Sequence, residues 1–254
     1  MLVMKFGGTS VGSAATIKQV KEIVKNAMKN NSRVFLVVSA MSGTTDMLID
    51  CGKRASSGDE SFREILKTIE ERHLETVKEL LPVQNQSHVL SFTKTYCNEL
   101  EEIMNGIFML GELSARTLDR IMSYGELMSS RIISASFVVD GLNCVWKDSR
   151  EIIKTNDNFG NASVDFQTTY RNVGRFLSED HTLFVLPGFI ASANDHITTT
   201  LGRGGSDYTA AIIAGGVESD SLEIWTDVSG MMTADPRWVA NARPIPMISY
   251  KEAM

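Results

Sequence analysis

The sequence predicts an α/β protein, a three-layer αβα sandwich around a largely parallel central sheet. Three observations carry that expectation. Short β-prone apolar runs recur along the chain, segments with a helical apolar period lie between them, and the runs are apolar enough to be covered on both faces. Strands buried on both faces and joined through helices belong to parallel sheets, because a parallel pair needs a long crossover between its strands.

Leu2 to Phe6 is the first such run and Val34 to Ser39 the second. Between them Ile17, Val20, Ile23, Val24, Ala27 and Met28 fall at helical spacing, which predicts a helix over residues 13–30 with one apolar stripe. Phe62, Ile65, Leu66, Ile69, Val77 and Leu80 repeat the pattern over 60–81, where Pro82 stops it. Further helix is expected across 88–139. Three more runs, Asn143 to Lys147, Thr182 to Phe189 and Leu222 to Thr226, read as buried strands, and Tyr208 to Ala214 as helix. No internal repeat, low-complexity tract or linker-like shift interrupts the chain, so one continuous domain over 1–254 is expected.

Composition narrows the function classes. With 43% hydrophobic and 22% charged residues the chain is of ordinary globular make-up. Its 25 Lys and Arg against 31 Asp and Glu give a net charge of −6, which argues against a polyanion-binding face and against nucleic acid as a partner. Cys51, Cys97 and Cys144 lie far apart without the paired spacings of zinc or redox motifs; reduced thiols of a cytosolic protein are expected. No apolar run approaches the roughly 18 residues of a spanning helix, and the N-terminus enters Leu2-Val3-Met4-Lys5-Phe6 without a signal-peptide layout. The expected setting is cytoplasmic, with no membrane partner.

Ligands of open α/β sheets gather at strand ends, and three loops there are unusual. Lys5-Phe6-Gly7-Gly8-Thr9-Ser10 puts two glycines and a lysine before a helix, so that backbone amides, a helix N-terminus and a full charge converge as in a phosphate cradle. A plain tight turn with a lysine beside it fits the same residues. Gly202-Arg203-Gly204-Gly205-Ser206-Asp207 follows Thr198-Thr199-Thr200 and precedes a helical stretch, which suits an anion site and also a flexible surface loop. Trp225-Thr226-Asp227-Val228-Ser229-Gly230 closes a strand with polar groups, where nucleotides bind or where Asp227 simply caps a turn.

Absent motifs exclude other chemistries. There is no G-x-x-x-x-G-K-[ST] of a Walker-type NTPase, and neither glycine loop fits G-x-G-x-x-G, which disfavours a dinucleotide oxidoreductase. The H-R-D and D-F-G triplets of protein kinases are missing, as are zincin, EF-hand and G-x-S-x-G signatures.

The ordered set Lys5 to Ser10, Val38-Ser39-Ala40-Met41-Ser42-Gly43-Thr44-Thr45-Asp46, Ser123-Tyr124-Gly125-Glu126, Leu186-Pro187-Gly188-Phe189, Thr199 to Tyr208 and Trp225-Thr226-Asp227-Val228 resembles the aspartate kinase branch of the amino acid kinase family. The likeness covers nearly the whole chain. Phe-Gly-Gly-Thr-Ser combined with Gly-Arg-Gly-Gly-Ser-Asp points to that branch rather than to acetylglutamate, glutamate or uridylate kinases of the same fold. Leu110-Gly111-Glu112-Leu113 ahead of Ser123 to Glu126 looks closest to kinases fused to homoserine dehydrogenase.

The resemblance implies a role for each matching residue. Lys5 and the amides about Gly7, Gly8 and Thr9, joined by Gly204 and Gly205, would hold the transferring phosphoryl group, with Asp207 positioning Lys5. Ser39, Thr45, Glu126, Arg203 and Ser206 would bind L-aspartate, Glu126 facing its ammonium and Arg203 a carboxylate. Thr226, Asp227 and Arg237 would contact ATP. The N-terminal part would serve mainly aspartate, and the part after about residue 190 mainly the nucleotide. Such transfer asks for positioning and positive charge, and its carboxylate acceptor is already ionised, so no general base is needed. None of the four histidines lies in a glycine-rich motif: His73, His88 and His181 are expected to be structural or solvated, while His196 lies near the substrate loop. Mg2+ should accompany ATP without a protein carboxylate cage.

Two departures from the family pattern stand out. Met231-Met232 replaces the aromatic expected after Trp-Thr-Asp-Val, which bears on adenine packing. Ser249-Tyr250-Lys251-Glu252 is a capping-box pattern with only two residues after it, so a catalytic domain cut short, ahead of a Gly-Ala-Lys motif and regulatory domains, is expected. A homo-oligomer is expected at full length. The rival readings are another small-molecule kinase of the fold and a nucleotide-binding module without turnover.

Overall fold

A computed structural model describes residues 1–228 and 230–253; Ser229 of the third loop and Met254 lie outside the described residues. The chain begins with β1 (Leu2–Phe6), α1 (Ala14–Met28) and β2 (Val34–Val38). Helices α2 (Thr44–Ser56), α3 (Phe62–Leu80), α4 (Gln86–Leu110) and α5 (Ala115–Val139) follow, then β3 (Cys144–Trp146), α6 (Ser149–Ile152) and α7 (Phe166–Phe176). Strand β4 (Leu183–Pro187) leads into the short β5 (Ile190–Ser192) and β6 (Thr198–Thr200), and α8 (Gly205–Gly216), β7 (Ser221–Trp225) and α9 (Tyr250–Ala253) complete the order.

The central sheet has five strands in the order β3-β4-β2-β1-β7, every pair parallel. Its two faces divide by the two-residue period of a strand. Leu2, Met4, Phe6, Leu36, Val38 and Val185 pack with α1, α3, α4 and α5 on one side; Val3, Phe35, Val37, Phe184 and Leu186 pack with α7 and α8 on the other. The αβα sandwich is therefore as expected. On the first side the helical layer is two deep, because α2, α3, α4 and α5 bury a core of their own around Leu48, Phe62, Leu100 and Met128. A separate antiparallel pair, β5 with β6, crosses beyond the end of β4.

Local signals explain most boundaries. Ser13 caps α1 in a reciprocal box with Thr16, and Pro82 follows the end of α3. The helical stretch expected over 88–139 is two helices, parted where Gly111 takes a left-handed backbone and Ser114 caps α5. The run expected as a strand from Thr182 to Phe189 pairs only to Pro187, since Phe189 turns left-handed at φ 68°. Two expectations are corrected. The strand within 143–147 is only partly buried, because β3 is one edge of the sheet and pairs with β4 alone among the described residues. The strand at 222–226 is not buried: β7 is the other edge of the sheet, bonded among the described residues to β1 alone, with Ile224 50% exposed. Its apolar run reads like an inner strand, but only one neighbour and few covering side chains meet it.

Candidate active site

β1 and β2 are adjacent and parallel, so the loops that leave them open at the same end of the sheet. They are bound together: Ser39 N–H donates to Phe6 O at 3.2 Å and Ser42 N–H to Gly8 O at 3.1 Å. A Cβ on Gly8 would stand 2.9 Å from Ala40 O, so only glycine lets the first loop lie this close to the second. Helix α5 approaches from below by the same device. A Cβ on Gly125 would meet Ala40 Cβ at 2.9 Å, and without it Glu126 reaches the Ala40 amide, whose N–H donates to Oε1 at 3.2 Å. Ser129, one turn on, donates to Ser39 O at 2.8 Å.

These loops, the glycine loop before α8 and the end of β7 enclose a cavity of about 550 Å3. Its lining brings together Lys5, Gly7, Gly8 and Thr9 from the first loop and Ser39 and Thr45 from the second. Glu126 comes from α5, Arg203, Gly204, Gly205, Ser206 and Asp207 from the loop and start of α8, and Thr226 and Asp227 from the strand end. Helices α2 and α8 both begin at this cavity, and their N-terminal amides add positive potential. Lys5 Nζ lies 2.7 Å from Asp207 Oδ1, a close ion pair approached off the hydrogen-bonding line. Burial pushes the Glu126 carboxyl up to about 8, and among the described residues its Oε2 has no hydrogen-bond partner. A buried carboxylate with one free oxygen, in a cavity otherwise rich in anion-binding groups, is a receptor for a cation carried by a bound molecule.

A profile of the amino acid kinase family matches residues 1–254. The chain belongs to the amino acid kinase family. This member is 35% identical over 253 residues to the bifunctional aspartokinase/homoserine dehydrogenase 2, chloroplastic, of Arabidopsis thaliana, a match covering 99% of this chain and 27% of that protein. It is 36% identical over 260 residues to aspartokinase 1, chloroplastic, of the same plant, covering 99% and 44%. The crystal structure of E. coli aspartokinase III in complex with aspartate and ADP superposes with a TM-score of 0.86 at 30% identity, over 96% of this chain and 53% of that one. The chain thus spans between about a quarter and about half of the length of these relatives.

One expected site residue of this amino acid kinase stands apart. Arg237 does not line the cavity; its guanidinium is 83% exposed and pairs with Asp235 at 2.7 Å. Met231 is half exposed, and Met232 bridges Pro244. His73 is fully buried in α3, where burial lowers it to about 4 and Nδ1 lies 2.7 Å from Ile69 O; His196 sits at the β5–β6 turn, outside the cavity. The Ser249 hydroxyl and amide both meet the Glu252 carboxylate, the capping box expected there.

Two contributors escaped the sequence reading. Arg72 of α3 donates to Gly12 O at 2.9 Å and to Ser42 O, stapling the first loop to the second from outside. Its only sequence signal is a charge on a helix. Asp119 is buried in α5 and accepts from Gly160 N–H at 3.0 Å, Thr200 N–H at 2.9 Å and the Thr200 hydroxyl at 2.8 Å, fixing the strand that feeds the Gly202–Asp207 loop. Burial raises its carboxyl, against those hydrogen bonds.

Proposed function

We propose that this chain is the catalytic domain of an aspartate kinase, moving the terminal phosphoryl group of ATP to the side-chain carboxylate of L-aspartate to give 4-phospho-L-aspartate. That reaction opens the biosynthesis of lysine, threonine and methionine. The observation that carries the reading is the free, buried Oε2 of Glu126 in the same cavity as Lys5 and Arg203. An amino acid with two carboxylates needs one cation receptor and at least one anion receptor, and a phosphoryl donor needs a cradle beside them. The relatives named aspartokinase, and the one solved with aspartate and ADP, support the same choice.

In this reading Glu126 accepts the ammonium, Arg203 forks onto a carboxylate, and Ser39, Thr45 and Ser206 supply hydroxyl partners. Lys5, the amides about Gly7 to Thr9 and those of Gly204 and Gly205 stabilise charge on the moving phosphoryl group; Asp207 fixes Lys5. Thr226 and Asp227 contact the nucleotide, and Arg237 joins them only if its pair with Asp235 opens. Mg2+ comes with ATP. Of the cavity's lining carboxylates, Asp207 and Asp227 could reach a hard dication whose remaining positions would be taken by phosphate oxygens and water.

Among the described residues no helix is long and apolar enough to cross a membrane. A cytoplasmic setting belongs to the proposal, supported by Cys51, Cys97 and Cys144 all being free thiols. So does the homo-oligomer at full length, read by light scattering. The deciding experiment measures ADP release by the full-length protein with L-aspartate, N-acetylglutamate, glutamate or UMP as acceptor. Turnover that depends on aspartate alone is expected; turnover with another acceptor, or nucleotide binding with no turnover at all, overturns the reading.

A further inference from the structure

We infer that the molecule carries a second ligand site, a pocket for a small phosphate-class oxyanion formed by Arg116, Arg120, Arg150 and His196. These side chains line a cavity of about 350 Å3 between the start of α5, helix α6 and the β5–β6 turn, with Ile103 of α4 as an apolar wall. It shares no lining residue with the catalytic cavity. In a chain of net charge −6, three guanidinium groups and an imidazole meet here with Asp195 as the one carboxylate of the lining.

The cluster gathers cations that the surrounding fold only partly compensates, Arg116 and Arg120 being exposed. Arg116 and Arg120 are one turn apart at the beginning of α5, where like charges repel and where the positive end of the helix disfavours cations. Neither forms an ion pair with a carboxylate among the described residues, unlike Arg150, although Arg120 lies within hydrogen-bonding reach of the Tyr124 hydroxyl, which itself donates to Glu99. The Arg150 guanidinium is locked by Asp148, with Nη2 2.7 Å from Oδ2 and Nε 3.0 Å from Oδ1, and its Nη1 donates to Thr198 Oγ1 at 3.3 Å. At the turn, Asp195 and His196 hold left-handed backbones, φ 56° and 58°, as the two central residues of the tight hairpin turn from Asn194 to Ile197, and this places the His196 ring beside the arginines. An oxyanion fits the charge left over in this cavity. It neutralises the repelling pair, and planar guanidinium forks match phosphate oxygens two at a time. The volume also admits an organic body on the phosphate.

The test is equilibrium binding to Lys5→Ala protein, in which the catalytic cradle has lost its charge, with inorganic phosphate and glycerol 3-phosphate as separate probes. We expect one bound probe per chain, a loss of affinity of at least tenfold in Lys5→Ala with R116Q/R120Q, and only partial recovery in R116K/R120K. Tighter binding of glycerol 3-phosphate identifies the ligand as a phosphate monoester, and equal or weaker binding identifies it as free phosphate. In phosphate-free buffer R116Q/R120Q should melt no lower than its parent. Absence of binding, equal affinity in all three proteins, or a lower melting point for R116Q/R120Q without phosphate overturns the inference, the last because it makes the arginines structural.

Discussion

Lys5 and Asp207 come from opposite ends of the chain, yet Nζ and Oδ1 stand 2.7 Å apart inside one cavity. The contact is made by topology. β1 is an inner strand of the sheet and α8 packs against it, so Lys5, the penultimate residue of β1, faces the first turn of the last long helix. A lysine held in this way meets developing charge without having to reorganise.

Lys5→Ala should therefore lower the turnover of the full-length protein by roughly 10² to 10³, about 3 to 4 kcal/mol, with little change in folding. Steady-state rates at saturating ATP, Mg2+ and aspartate, beside a thermal melt, measure both. Near-normal turnover would remove Lys5 from the mechanism.

Arg203 is exposed on the rim and has no recorded partner among the described residues, which leaves its fork free for a ligand. Arg203→Lys should mainly raise the KM for aspartate, since an ammonium cannot reproduce two parallel hydrogen bonds. A variant that loses ATP affinity while keeping its aspartate KM would assign the loop to the other substrate.

Glu126 gives a pH prediction with a definite sign. Its carboxyl is raised from 4.5 to about 8 by burial, so the ligand-free protein holds it neutral at pH 7. A raised folded-state value means that this group's contribution to stability is fully present below about pH 4.5 and is lost as pH climbs toward 8. Glu126→Gln should flatten that decline. An ammonium bound at Oε2 reverses the balance and favours the carboxylate, so aspartate binding near pH 7 should release a proton. Calorimetry in buffers of different ionisation enthalpy reads the release, and a binding heat that does not vary with buffer would sink this assignment.

For Arg72 the expected effect is on loop geometry. Arg72→Gln removes the charged bridge between Gly12 O and Ser42 O and should cost about 1 to 2 kcal/mol of stability. By loosening the first loop, Arg72→Gln should also weaken ATP binding; Arg72→Lys should restore part of the stability but little of that affinity, as one ammonium cannot span two carbonyls as a guanidinium does. Denaturant melts with nucleotide titration separate the two effects; unchanged ATP affinity in both variants would confine Arg72 to a structural role.

The layers of the fold were legible because apolar period and strand composition report burial directly, as Leu2 to Phe6 and Ile17 to Met28 show. The site was legible as far as glycine and charge cluster in sequence, and its loops indeed share one cavity. What could not be read depended on three-dimensional partners. Arg72 acquires meaning only from two carbonyls brought to it by other loops, and Asp119 only from backbone amides at Gly160 and Thr200. The exposure of β7 was hidden because Leu222 to Trp225 has the composition of an inner strand, and composition does not say how many neighbours a strand will have.

The edge position of β7 sets a gradient of permanence across the cavity. β1, which delivers Lys5, is bonded on both sides and wholly buried, so its amide hydrogens should exchange with solvent only when the whole domain opens. β7, which delivers Thr226 and Asp227, keeps one ladder of bonds and exposes the other row of its backbone. Its outward amides should exchange faster than those of β1, and bound nucleotide should slow exchange there far more than at β1. One wall of the cavity is thus a fixed reference and the other a surface that its occupant finishes.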